Sequence, residues 1–353
     1  MPTDAASPAP SLSRVTVLGA GSWGTALALH AARRGAATTL WTRTPEHGEA
    51  MRAERRNPRY LTDFPFPDNL TPTSDLEAAV RGAELLICAI PSHGMRQAIK
   101  RVRGVLDAQH QADAPAPLYL VAAKGIEVDT LSNMHEVLTQ ELPQGHGPNV
   151  TVLGGPSFAK EVAAGKPTTV VVGASQAEAG KRVQALLSGD GVRAYVTDDV
   201  LGVELGGTFK NVIALAAGLC DGAGLGDNAR AGLITRGLAE ISRLAMALGA
   251  HPATLSGLAG VGDLVLTCTG GLSRNRRVGI ALGQGRKLQE ILDEMGMVAE
   301  GVKNTKSAYK LAQQTKVDMP LVETMHAILY EGLDVRDAVG ALMSRELKSE
   351  REW

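Results

Sequence analysis

The segment Val15 to Leu27 constrains this chain most: an apolar β-type run feeds directly into Gly19-Ala20-Gly21-Ser22-Trp23-Gly24 and then into a helix-forming stretch. Each glycine of this G-x-G-x-x-G spacing has its own physical use. Gly19 suits the tight turn out of the strand, Gly21 leaves bare backbone for a pyrophosphate to approach, and Gly24 lets the helix pack closely on the strand. The unpaired N–H groups and positive end of the helix then favour phosphate charge without a basic side chain. The motif, with strand and helix both in place, predicts a dinucleotide site.

A carboxylate that would grip a ribose 2′-hydroxyl is expected about 20 residues further on, at the end of the second strand. None is there. The second predicted strand, Ala37 to Trp41, ends in Thr42-Arg43-Thr44, so Arg43 offers a guanidinium suited to a 2′-phosphate. Arg55, Arg56 and Arg59 follow on a short polar segment that reads as a solvated face.

At 353 residues the chain exceeds what one hydrophobic core usually serves, and two domains are expected. A net charge of −1 gives no electrostatic footprint for nucleic acid or an anionic membrane. Cys88, Cys220 and Cys268 are odd in number and widely spaced in apolar sequence, which fits reduced core thiols in a cytoplasmic protein. The eight histidines form no metal-ligand spacing, and no metal is expected. Residues 1–13, rich in Pro, Ala and Ser, read as a loose tail rather than a signal peptide. The apolar segment Val212 to Cys220 is halted by Asp221, so no membrane span is expected.

Short apolar runs at 85–90, 118–123, 150–153, 169–172 and 192–196 read as strands, with helical segments at 92–106 and 130–142 between some of them. This alternation predicts an α/β domain with a doubly wound parallel sheet over 14–198. From Asp199 the spacing turns helical, at about 200–220, 228–249, 274–283, 302–315 and 320–330, and 199–353 is expected to be a helical domain.

Ligands of open α/β sheets sit beyond the carboxyl ends of the strands. Ile90-Pro91-Ser92 offers one such end, and Lys124-Gly125 places a cation at another. Gly154-Gly155-Pro156-Ser157 puts small residues and a hydroxyl at a third, either as a glycine turn or as an anion-binding backbone. In the first helix of the second domain, Gly206 and Gly207 each cost about 1 kcal/mol relative to alanine, which implies close packing against something, the cofactor among the choices. Lys210 shares their helical face. Asp263 and Thr267, four residues apart among apolar neighbours, supply a carboxylate that wants a cationic partner. Ser273 follows a glycine turn as an N-cap, and with Arg274 and Asn275 it forms a second candidate anion site, while Arg276 and Arg277 read as solvated.

Taken with Val-Ala-Glu-Gly at 298–301, these motifs resemble those of the bacterial-type NAD(P)-dependent glycerol-3-phosphate dehydrogenases, over about residues 14–345. The resemblance implies a Rossmann domain followed by an all-helical domain of the 6-phosphogluconate dehydrogenase type, usually in a homodimer. It implies interconversion of dihydroxyacetone phosphate and sn-glycerol 3-phosphate for glycerophospholipid synthesis, with NADP(H) or NAD(H) as cofactor. Lys210 then matches the proton acceptor, with Lys124 and Asp263 beside it. Ser22, Trp23, Arg43, Lys124, Ala159, Arg274, Val298 and Glu300 fall at cofactor positions. Lys124, Gly155, Ser157, Lys210, Asp263, Ser273, Arg274 and Asn275 fall at substrate positions. A dehydrogenase of another hydroxy compound would not need the Ser273-Arg274-Asn275 group, and a non-catalytic NAD(P) sensor would not need Lys124, Lys210 and Asp263 together.

Overall fold

The computed structural model describes residues 12–108, 115–295, 299–347 and 349–350. The expected tail therefore lies outside the described residues up to position 11. Its last two residues belong to the fold: Leu12 is buried, and Ser13 donates its backbone N–H to Glu84 at 2.7 Å.

The chain divides into two compact units. The first comprises residues up to Ala123, His135–Leu153 and Ser157–Val200. The second takes Lys124–Met134, Gly154–Pro156 and everything from Leu201. A single linear boundary between 198 and 199 misses the two short segments after strands that join the second unit.

Unit one holds an eight-stranded sheet of order β3-β2-β1-β4-β5-β6-β7-β8. Its strands are β1 (Arg14–Leu18), β2 (Ala37–Trp41), β3 (Leu70–Thr73), β4 (Leu85–Cys88), β5 (Leu118–Val121), β6 (Val150–Gly154), β7 (Thr168–Ala174) and β8 (Val192–Thr197). Pairing from β3 through to β6, and of β7 with β8, is parallel. The order reverses at β1, and β1 and β4 are neighbours in register from Val15 and Leu85. Such a reversal opens a crevice at the carboxyl ends of the strands. Strand β3, Leu-Thr-Pro-Thr, carries no apolar run and was not expected. It is an edge strand, where Pro72 costs no central ladder bond.

The helices of this unit are α1 (Ser22–Arg33), α2 (Pro45–Glu54), α3 (Leu76–Val80), α4 (Ser92–Ala108), α5 (Met134–Glu141), α6 (Ala159–Ala163) and α7 (Ala177–Leu187). Ala26, Ala28, Ala31 and Ala32 of α1 are buried against Val15, Val17 and Leu40 of the sheet, so small side chains let helix and sheet approach closely. Helix α5 starts four residues later than its periodicity suggests. Leu131 has φ 58°, and Ile126 bridges to Asn133, which closes the preceding segment as a turn.

The second unit contains α8 (Val200–Gly222), α9 (Asp227–Ala247), α10 (Pro252–Ser256), a π-helical turn (Leu258–Gly262), α11 (Asp263–Thr269), α12 (Arg274–Gly283), α13 (Leu288–Met295), α14 (Glu300–Thr315), α15 (Pro320–His326), a second π-helical turn (Ala327–Glu331) and α16 (Val335–Met343). Asp221 does not stop α8. Arg230 and Arg276 bind its carboxylate at 2.7 and 2.5 Å, so the helix carries it to its last turn. At 23 residues and mean hydropathy 1.3, α8 has the length and composition of a membrane span, but 83% of that window is buried inside the protein. It is the core helix of its unit, packing Phe209, Val212, Ile213 and Leu215 against Leu244, Leu264 and Val278.

Gly24 fixes how closely α1 enters the sheet, because a Cβ there would collide with the Gly19 carbonyl and sit 3.2 Å from the Ala89 side chain. Gly24→Ala is therefore expected to lower stability by about 1–3 kcal/mol, the usual cost of overpacking, despite alanine's better helix propensity. A lowered urea midpoint checks this, and an unchanged midpoint would contradict the packing assignment.

Candidate functional site

In unit one, the three motif glycines differ in what surrounds them. Gly19 has φ +111° and donates its N–H to the Trp41 carbonyl at 3.0 Å, locking the turn to β2. Gly21 is the N-cap of α1 with ordinary extended torsions, and nothing lies within 4 Å of a Cβ placed on it. Gly19 and Gly24 are thus required by the fold, whereas no contact within the chain requires a glycine at 21. Bare backbone at an open helix N-terminus fits a pyrophosphate.

Ser22 is the first residue of α1, and Trp23 donates its indole N–H to the Ala122 carbonyl at 3.1 Å, leaving only its ring surface for a ligand. Arg43 is exposed two residues past β2. Arg55 and Arg56 are not part of that edge chemistry: Arg55 binds Asp68 at 2.8 Å and Arg56 binds the Thr62 carbonyl at 3.2 Å. Ala159 opens α6. Ser157, just before it, also belongs to this unit.

Unit two gathers the titratable chemistry. Asp263, fully buried, begins α11 where the π-helical turn ends. Its Oδ2 accepts from Lys124 Nζ at 2.6 Å, and its Oδ1 accepts from Lys210 Nζ. Lys210 also donates to Thr267 Oγ1 at 2.7 Å, while that hydroxyl donates to the Asp263 carbonyl at 2.6 Å. Two of the three donor positions on Lys210 Nζ are therefore held inside the cluster, and the third is open among the described residues. Burial is the largest cause that lowers the Lys210 pKa, to about 7, opposed by Asp263 and assisted by Lys124. Desolvation thus outweighs the neighbouring positive charge of Lys124 as the cause of the lowering.

The two helix glycines differ in what the chain requires of them. A Cβ on Gly206 would meet the Ala259 carbonyl at 2.5 Å, so glycine lets the π-helical turn press against α8 and delivers Asp263 to Lys210. A Cβ on Gly207 would lie in ordinary van der Waals contact with the Lys124 stem at 3.5 Å, so no contact within the chain requires glycine there. Gly155, with φ +100°, directly follows β6 and belongs to this unit.

Ser273 caps α12 as expected, its Oγ accepting from the Arg276 N–H at 3.2 Å. Arg274 is the exposed first residue of that helix. Arg276 is not a solvated side chain but is clamped by Asp221. Asn275 is buried and used inside the protein: its amide donates to Asn211 Oδ1 at 2.9 Å, and its oxygen accepts from Gly301 N at 2.9 Å. It joins α8, α12 and the start of α14, beside Glu300, which is the first residue of α14. Val298 lies outside the described residues. Among the described residues, no group of His, Cys, Asp and Glu could hold a metal ion.

Sequence reasoning singled out Thr267 without giving it a role, gave Asn211 none, and read Asp221 only as the stop of an apolar segment. Their signal was faint: each is a common polar residue on an apolar helix, and only burial with a named partner distinguishes it.

Comparison with known proteins follows the same division. The family model described as NAD-dependent glycerol-3-phosphate dehydrogenase N-terminus matches residues 14–180, and the corresponding C-terminus model matches 199–340. A glycerol-3-phosphate dehydrogenase [NAD(P)+] of Citrifermentans bemidjiense is 49% identical over 337 residues, 96% of this chain and 98% of the relative. One from Geobacter metallireducens is 50% identical over 338 residues, 96% and 99% of the two chains. Among solved structures, the glycerol-3-phosphate dehydrogenase of Coxiella burnetii is 41% identical, with a TM-score of 0.87 over 94% of this chain and 99% of that one. This chain belongs to the NAD-dependent glycerol-3-phosphate dehydrogenase family.

Proposed function

We propose that the chain interconverts dihydroxyacetone phosphate and sn-glycerol 3-phosphate with NADP(H) or NAD(H), supplying the glycerol phosphate backbone of phospholipids. The observation that carries this reading is the fully buried Asp263 carboxylate held between the ammoniums of Lys124 and Lys210. A metabolic enzyme needs such a cluster, and a protein that merely senses the cofactor does not. Following NADPH absorbance with a panel of carbonyl compounds that includes dihydroxyacetone phosphate tests the substrate directly.

The nicotinamide cofactor supplies or accepts the hydride when bound. Gly19, Gly21, Ser22, Trp23, Gly24, Arg43 and Ala159 of unit one are assigned to it, with Lys124, Arg274, Val298 and Glu300 of unit two. The chain's own residues manage the charge and proton at the substrate C2 oxygen. Lys210 presents its open third position to that oxygen, as donor in reduction and as acceptor in oxidation. Two ammoniums against one carboxylate leave a net positive charge that favours the developing alkoxide, and burial strengthens the attraction. Asp263 and Thr267 fix the amine's direction, and Lys124 keeps Asp263 neutralised when Lys210 is uncharged. Arg274, with the α12 N-terminus capped by Ser273, is assigned to the substrate phosphate, and Gly155 and Ser157 line the same ligand. Asn275 supports this group by bracing three helices.

The chain is further proposed to act as a cytoplasmic homodimer. The homodimer is what the family resemblance implies. The three buried, unpaired cysteines fit a reducing compartment.

Lys210→Met is expected to cut kcat by about 10²–10⁴-fold while NADPH still binds, and near-normal turnover would remove the lysine from the chemistry. In the parent, oxidation needs neutral Lys210 and reduction needs the ammonium. With its pKa lowered by burial, kcat/KM for oxidation should rise, and that for reduction fall, as pH increases through about 7 rather than near the usual lysine value. A pH profile in both directions checks the sign.

Arg274→Ala should lower kcat/KM strongly for dihydroxyacetone phosphate and much less for unphosphorylated dihydroxyacetone, measured at saturating cofactor. Equal losses would reject the phosphate assignment. Arg43→Glu should weaken NADPH far more than NADH in a direct binding titration, because only NADPH carries the 2′-phosphate.

A further inference from the structure

Behind the glycine turn of unit one lies a chain of buried polar side chains that the cofactor assignments do not use. Asn57 is fully buried between α2 and β3, and His47, Thr25 and Thr42 are buried around it. Asn57 Nδ2 donates to the Ala20 carbonyl at 3.0 Å and to Thr25 Oγ1 at 2.8 Å. Its Oδ1 accepts from the backbone N–H of Arg59 at 3.1 Å and of Tyr60 at 3.0 Å. These neighbours fix which end of the amide is oxygen, since only oxygen can face two backbone donors and only nitrogen can face a carbonyl.

The relay continues to β2. His47 Nε2 lies 3.0 Å from Asn57 Oδ1, which as an acceptor requires the proton on Nε2, and His47 Nδ1 then accepts from Thr42 Oγ1 at 3.3 Å. Thr42 immediately precedes Arg43. One run of hydrogen bonds therefore ties the glycine turn, the first helix and the end of β2 together from inside the protein, where an unpaired polar group would be costly.

The Ala20 carbonyl is the informative end. In a trans peptide the C=O and the following N–H point in opposite directions within one rigid plane, and the described residues contain no cis bond. Holding the Ala20 oxygen inward on Asn57 turns the Gly21 N–H outward, at the residue whose Cβ side is open. We propose that Asn57 is a positioning residue for the dinucleotide: through the Ala20–Gly21 peptide it aims a backbone donor at the pyrophosphate before the cofactor arrives. Preorganisation of this kind removes an ordering cost from binding. The proposal rests on the glycine turn being the cofactor's pyrophosphate site, and the test separates the two.

Asn57→Asp keeps the oxygen that serves Arg59, Tyr60 and His47, but sets oxygen against the Ala20 carbonyl. Asn57→Ala, a neutral truncation, accompanies it because a buried carboxylate can itself disturb the fold. Dissociation constants for NADH and NADPH are measured by fluorescence titration well below each variant's melting midpoint. The expected result is a rise of at least about 10-fold for both cofactors together, since the pyrophosphate is common to them. A folded variant that binds both within about twofold of the parent would overturn the proposal. Loss of the fold in both variants would assign Asn57 to stability alone and overturn it equally. Gly21→Val is the control for the site itself, because its Cβ meets no chain atom. If Gly21→Val leaves affinity unchanged, the glycine turn is not the pyrophosphate site. If it weakens both cofactors and the Asn57 variants do not, only the role of Asn57 fails.

Discussion

The second unit depends on the neutralisation of one carboxylate. Asp263 has no exposure, and a lone carboxylate there would carry a desolvation penalty of several kcal/mol. Lys124 from the segment after β5 and Lys210 from α8 share that carboxylate, so the pairing that makes burial tolerable also brings together two amines from distant parts of the sequence. The same burial holds Lys210 below the usual lysine range, which gives an amine able to exchange a proton near neutral pH. Burial thus sets both the need for pairing and the lowered pKa of the amine.

Glycine makes that arrangement sterically possible. Gly206 admits the π-helical turn that presents Asp263. Further along, Gly218 and Gly222 of α8 meet Gly279 and Gly283 of α12, each spaced four residues apart and each too close to the other helix's backbone for a side chain. This contact sets the start of α12, with Ser273 and Arg274, against the helix that carries Lys210. Asp221 reinforces it by clamping Arg276. Ser273, Arg274 and Lys210 are thereby held on one frame of closely packed helices.

Unit one uses glycine in the same way at the turn from β1 into α1. Gly19 and Gly24 answer to packing within the chain, whereas Gly21 answers to open space. A motif that looks uniform as letters is therefore divided in function. The buried amide of Asn57 and the imidazole of His47 support this turn from behind, so its backbone donors have a fixed direction.

Much of this was legible from residues alone. Strand β1, the glycine turn and α1 follow from local pattern, and the Ser273 cap follows from a hydroxyl after a glycine turn, because these features depend on neighbours within a few residues. The helical character of the second unit was equally local. What the sequence left open involved distant partners: the edge strand β3 with its Pro72, the continuation of α8 through Asp221, and the clamping of Arg276. Lys124 and Lys210 could be marked as candidate cations, but their convergence on Asp263 across 139 and 53 residues is a tertiary fact. Asn57 carried no sequence signal at all. Local sequence sets which backbone shapes are cheap, whereas the direction of a buried amide or the pKa of a buried amine depends on which remote groups replace water around it, and only the folded structure decides that.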